Sequence, residues 1–124
     1  EPDDGYWSNV WMKKPFSACY WSGRPTENMM FSTVYWGEAA WNDTYWKNAH
    51  FDELLLQGRI ETDATKRRDI YVEMQQLVHN DGGTVLPLFL QDIFATNDKV
   101  RHHDVIGGNW ELDGMKAVER WWFA

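Results

Sequence analysis

The stretch Asp63-Ala64-Thr65-Lys66-Arg67-Arg68-Asp69-Ile70-Tyr71-Val72-Glu73-Met74-Gln75-Gln76-Leu77-Val78-His79-Asn80-Asp81 carries the clearest structural signal in the chain. Ile70, Tyr71, Met74, Leu77 and Val78 recur at i, i+1, i+4, i+7 and i+8, which is one apolar stripe on a helix. Asp63 stands where an N-cap carboxylate can accept the first free amides, and Gly82-Gly83 stands at the C-cap. The period then changes. Thr84-Val85-Leu86-Pro87-Leu88-Phe89-Leu90 reads as a strand, with Pro87 removing one ladder donor and placing it at an edge or a bend.

Working outward, Asn48 or Ala49 to Ile60 reads as a second helix with Phe51, Leu54 and Leu55 turned inward. Residues 37–48 are loop-like. Asn28 to Trp36 reads as a short helix carrying Met29, Met30 and Phe31. Phe16-Ser17-Ala18-Cys19-Tyr20-Trp21 reads as a strand stopped by Ser22-Gly23-Arg24-Pro25. Before it, Asp3 and Asp4 can cap a helix to about Lys14, with Tyr6, Trp7, Val10 and Trp11 on one face and Pro15 ending it. Phe94-Ala95-Thr96 suggests one more short strand. Beyond Val100 the pattern is irregular, with a turn at Gly107-Gly108 and aromatics at the close.

The 124 residues contain nine tryptophans, and aromatics make up 16% of the chain, well above an ordinary domain. An indole supplies a large apolar area and one N–H, so each suits a core and a ligand-facing wall alike. The net charge of −7, from 12 basic and 19 acidic residues, excludes nucleic acid as the expected partner. Phosphate neutralisation needs clustered Lys and Arg, and Lys66-Arg67-Arg68 reads as a solvated helix face. Nothing is apolar for long enough to span a bilayer. The opening Glu1-Pro2-Asp3-Asp4 reads as the middle of a protein or a processed piece.

No reaction chemistry is legible. Cys19, the single cysteine, reads as a small buried hydrophobe. His102-His103 has no carboxylate at helical spacing and reads as solvated loop rather than a metal site. Asp52 and Glu53 diverge on a helix and are expected to face water. A glycine-rich phosphate loop is missing, and no cofactor or metal is implied. The expectation is a binding protein, not an enzyme.

The order of five blocks carries a family resemblance: residues 16–25, then Asn28 to Phe31, then Tyr45 to Leu55, then Glu61 to Arg67, then Val85 to Phe89. In that order the chain resembles the C-terminal part of the family 5 extracellular solute-binding proteins, which deliver peptides, opines, nickel complexes and some sugars to ABC transporters. The resemblance implies an α/β fold, as part of a two-lobed periplasmic-binding-protein clamp. Residues 1–91 would be the C-terminal portion of lobe II, and residues 92–124 the hinge crossing and a tail belonging to lobe I. It implies periplasmic location, a peptide-like or opine-like solute, and a membrane permease as partner. Apolar surface meant for absent parts would be exposed, with self-association as one way to cover it.

The resemblance also places a substrate-binding loop at Tyr20, Trp21, Ser22, Gly23 and Arg24. Trp21 matches the family's aromatic position. Three residues on, peptide-binding members carry an acid that pairs with the ligand's ammonium, whereas this chain has Arg24. A guanidinium prefers a carboxylate or phosphate, so the departure points to an anionic solute; the plainer reading pairs Arg24 with Glu27 on the surface. The second functional reading is a free-standing carbohydrate-binding module using the tryptophans as a sugar platform. The helix over 63–81 opposes the β-sandwich such modules favour.

Overall fold

The computed structural model describes residues 4–108 and 110–124. The chain forms two compact units. One comprises Glu1–Trp21 and Thr26–Val85, and the other Ser22–Pro25 and Leu86–Ala124.

The larger unit is helical. Helix α1 spans Tyr6–Asn9, α2 spans Glu27–Met30, a π-helical turn follows over Phe31–Tyr35, α3 spans Ala49–Ile60 and α4 spans Ala64–Asp81. Each longer helix starts at a side chain that satisfies amides the helix cannot. Asn48 Oδ1 accepts from Phe51 N at 3.0 Å, and Asp63 Oδ1 accepts from Thr65 N and Lys66 N at 2.9 and 3.0 Å. Thr26 Oγ1 does the same for Met29 N. Gly82 closes α4 by donating to Val78 O. The start of α3 and the span of α4 therefore agree with the sequence pattern.

The core lies where α3, α4 and the π turn meet. It consists of Phe31, Val34, Tyr35, Trp46, Phe51, Leu54, Leu55 and Met74, with Ile70, Tyr71, Leu77 and Val78 packed against it. Phe51 and Met74 are completely excluded from solvent, and each such burial stabilises by about 2 kcal/mol. Phe31 and Trp46 meet the Phe51 ring at centroid distances of 5.3 and 5.1 Å. Gly58 allows α3 to approach α4 closely, because a Cβ there would lie 3.1 Å from the Tyr71 ring. On the outer side His50 Nε2 stands 2.7 Å from Glu73 Oε1 and bridges the two helices.

The N-terminal helix is shorter than its pattern suggests. It begins at Gly5, whose φ of 78° is left-handed, with no side-chain cap. Asp4 does not cap it, and Asp3 lies outside the described residues. Turns follow up to Pro15, with Met12 at φ 55°, so the apolar face of Tyr6, Trp7, Val10 and Trp11 continues past one turn without helical backbone. The strands expected at 16–21, 84–90 and 94–96 do not form. A strand is held by the neighbour that takes its N–H and C=O groups, and no described segment pairs with any of these three. Val85, Leu86, Leu88, Phe89, Leu90 and Ile93 are consequently exposed.

The smaller unit contains the ladder formed among the described residues. Strand β1, Val100–Arg101, runs antiparallel to β2, Trp122–Phe123, with Val100 opposite Phe123 and Arg101 opposite Trp122. Between them lie α5, Glu111–Met115, and α6, Ala117–Arg120. Helix α5 is a left-handed turn: Leu112, Asp113 and Gly114 have φ of 47°, 65° and 67°, and Met115 follows at 67°. Such backbone costs L-residues about 1–2 kcal/mol each. Asp113 offsets the cost. Almost fully buried, its carboxylate accepts from Gly107 N at 2.6 Å, Arg120 Nη1 at 2.9 Å and Trp121 Nε1 at 3.2 Å. The Gly107 amide above all, then the Trp121 indole and the Arg120 charge, hold the Asp113 carboxyl below the usual carboxylate range against the opposing effect of burial.

Candidate functional site

In the larger unit, Tyr20 and Trp21 belong to a ladder of aromatic rings. Trp7 contacts Tyr6, Trp11 and Tyr20 edge-on at 5.5, 5.6 and 5.7 Å. Trp11 contacts Trp21 at 6.4 Å, and Trp21 contacts Trp41 at 6.0 Å. Separations in this range, away from a face-to-face sandwich, suit the aromatic quadrupole. Tyr6, Trp11 and Trp21 are half-buried, while Trp7, Tyr20 and Trp41 face solvent.

One carboxylate organises the ladder from behind. Asp43 Oδ2 accepts from Trp11 Nε1 at 3.0 Å, from Trp21 Nε1 at 3.2 Å and from Cys19 Sγ at 3.3 Å. Its position follows from Asn42, which is buried and donates through Nδ2 to Trp46 O at 2.6 Å and Trp36 O at 3.3 Å. The loop at 37–48, unpatterned in sequence, is thus fixed by polar contacts. Asp52 supplies another by accepting from Gly37 N at 3.0 Å. It therefore latches this loop, where the sequence reading expected it to face water. The same device recurs with Trp46 Nε1 donating to Asp81 at 2.9 Å and Trp121 Nε1 to Asp113.

Cys19 departs from its expected role. It is exposed rather than buried. Its thiol is pushed up to about 11, first by the desolvation of its sulfur and then by the hydrogen bond and charge of Asp43.

Ser22, Gly23 and Arg24 belong to the smaller unit. The Arg24 guanidinium curls onto its own loop, donating through Nη1 to Ser22 O at 2.9 Å and Gly23 O at 3.2 Å. Its Cζ also stands 6.0 Å from the Trp110 ring centroid, within reach of a cation–π contact. The five residues of the expected loop are therefore described in two groups, Tyr20 and Trp21 with the ladder, and Ser22 to Arg24 with the smaller unit.

Elsewhere in the smaller unit, His102 is not a freely solvated loop residue. Its ring lies 5.2 Å from Trp121 and 6.4 Å from Phe94. His103 is exposed and lies 5.2 Å from the Trp122 ring. Among the described residues no three His, Cys, Asp or Glu side chains converge as a cation cage. A shallow depression of about 260 Å³ in the larger unit is lined by Met12, Gly37, Glu38, Asn42, Tyr45 and Lys47 among others. Glu38 and Lys47 form an exposed ion pair at its rim, 3.2 Å apart.

Sequence reasoning missed Asp43, the residue that ties the ladder together. The only local sign was the Asn42-Asp43 turn pair, which says nothing of indoles 22 and 32 residues away.

Comparison with known proteins gives one informative similarity. Over 73 residues, 59% of this chain, it is 29% identical to the probable deoxycholate-binding periplasmic protein YgiS of Escherichia coli (strain K12). The matched part spans 14% of that relative's length. No family model matches the chain, and no solved structure matches it. No helix among the described residues is long and apolar enough to cross a membrane.

Proposed function

We propose that this chain is part of the substrate-binding component of an ABC importer, acting in the periplasm. It would capture a peptide-like or opine-like solute between two α/β lobes and hand it to a membrane permease. The observation that carries this reading is the similarity to a probable deoxycholate-binding periplasmic protein. It agrees with the order of sequence blocks from residue 16 to Phe89 that resembles the family 5 solute-binding proteins.

Two features of the chain bear on the solute. Arg24 stands where peptide-binding members of the family have an acid, and a guanidinium selects a carboxylate. The ladder of Trp7, Trp11, Tyr20, Trp21 and Trp41 supplies broad apolar contact. Capture would proceed by closure of the clamp, the closed state being the one the permease recognises. A free-standing carbohydrate-binding module is the second reading, favoured by the exposed rings and opposed by the 12- and 18-residue helices α3 and α4.

Thermal-shift measurement of the full chain tests the proposal, with deoxycholate, dipeptides and an opine as ligands. At a hundredfold excess over Kd a bound solute stabilises by about 2.7 kcal/mol, which is several degrees in Tm. The expected result is a rise in Tm for a carboxylate-bearing solute that Arg24→Ala abolishes. A Tm that no member of the panel moves would overturn it, and a shift unchanged by Arg24→Ala would remove Arg24 from the site.

A further inference from the structure

We infer that Trp110 is a positioning residue for Arg24, an aromatic seat that fixes the guanidinium before a carboxylate-bearing solute arrives. The inference rests on the solute-capture reading for its solute and deepens that reading by naming a residue that tunes specificity. Arg24 Cζ stands 6.0 Å from the Trp110 ring centroid, and both residues belong to the smaller unit.

Three observations converge on Trp110. First, its place in the turn has no local explanation. Trp110 is the N-cap of α5, a position that favours Ser, Thr, Asp or Asn, and it makes no side-chain capping bond there. A residue that breaks a local rule is expected where it serves something else. The nearby guanidinium is something an indole face can serve.

Second, the backbone beside it is held at a cost. Leu112, Asp113 and Met115 all have left-handed φ, and strain of this kind persists only where surrounding contacts enforce it. The buried Asp113 carboxylate enforces it by accepting from Gly107 N, Arg120 Nη1 and Trp121 Nε1. Gly114 N then donates to Trp110 O at 3.1 Å, which ties the Trp110 backbone to the clamped turn.

Third, the chemistry of the seat suits recognition. Arg24 Nη1 donates to Ser22 O and Gly23 O at 2.9 and 3.2 Å, so two carbonyls and an indole orient the group. Such neutral partners fix a guanidinium without cancelling its charge, as a carboxylate partner would. An arginine side chain carries large rotamer freedom, and restricting it beforehand removes a cost that binding would otherwise meet. A planar fork held in a set direction favours a carboxylate, which can accept two parallel N–H bonds, over a spherical anion such as chloride.

Nitrogen-15 relaxation of the Arg24 Nε–H group in the full chain tests the seat without any ligand, with Arg24→Lys assigning the signal. The expected result is an order parameter above about 0.6, the level below which a group is flexible. It should fall in Trp110→Leu and be kept in part in Trp110→Phe, which preserves an aromatic face. Calorimetric titration with octopine, an opine with two carboxylates, then reads recognition. Trp110→Leu should weaken its binding about two- to fivefold, and Trp110→Phe by less. Circular dichroism checks that each variant is folded; where Trp110→Leu is not, the order parameters of the natural chain and of Trp110→Phe decide. The inference is overturned if Arg24 is flexible in the natural chain or if Trp110→Leu leaves it ordered. Octopine binding that Arg24→Ala abolishes and Trp110→Leu leaves unchanged would sink the seat and leave solute capture standing. An ordered, Trp110-dependent Arg24 in a chain that binds no solute would do the reverse.

Discussion

Asp43 shows how much one side chain can organise when its partners are far away in sequence. Trp11, Cys19 and Trp21 all donate to one of its oxygens. Two of these donors are indoles, each with a single N–H to satisfy, and the third is a thiol whose ionisation the same carboxylate opposes. With the thiol pushed up from 9.0 to about 11, its thiolate fraction at pH 8 falls about a hundredfold, and the thiolate is the form that reacts. Iodoacetamide should therefore alkylate Cys19 in the native chain more slowly than in urea, by at most about a hundredfold, because a more basic thiolate is also the better nucleophile. Asp43→Asn should recover part of that rate. Equal rates in native and unfolded chain would mean that neither the aromatic surroundings nor Asp43 holds the proton on the sulfur.

At the level of elements, α3 and α4 stand on their own sequences and the expected strands do not. Asp63 caps α4 through two amides, so Asp63→Ala should cost about 1 kcal/mol. Met74, buried at the centre of the stripe, should cost about 2–5 kcal/mol as alanine. Urea denaturation of both variants checks the ordering, and a larger loss at Asp63 than at Met74 would contradict the core assignment. The helices were legible because capping and stripe both repeat within four residues, so the signal is local. Residues 16–21 and 84–90 have strand composition, but pairing depends on another segment, and composition names no partner. The candidate loop was legible in the same limited sense. Trp21 and Arg24 stood out by type, while the carboxylate behind Trp21 did not, because contact across 22 residues leaves no periodic trace. Met12 and Leu112 occupy left-handed backbone with no glycine or asparagine to announce it.

Across the whole molecule, the larger unit is held by an apolar core and the smaller one by a buried carboxylate, so the two respond differently to acid. Asp113 has its pKa depressed in the folded state. Its contribution is complete above the unfolded carboxylate value of about 3.9 and is lost as pH falls through the lower folded value. Asp113→Asn should therefore be less stable than the natural chain at pH 7, with the difference shrinking below about pH 4. Near-ultraviolet dichroism across that range checks the sign, and a difference independent of pH would refute the role. The left-handed turn around Asp113 has a further consequence. Leu112, Asp113 and Met115 occupy the mirror image of the conformation their chirality prefers, so D-amino acids would adopt it without opposition. A chemically assembled chain with D-leucine, D-aspartate and D-methionine at these three positions would relax there, and its gain in stability would measure how hard the three bonds to one carboxylate must pull on an L-polypeptide.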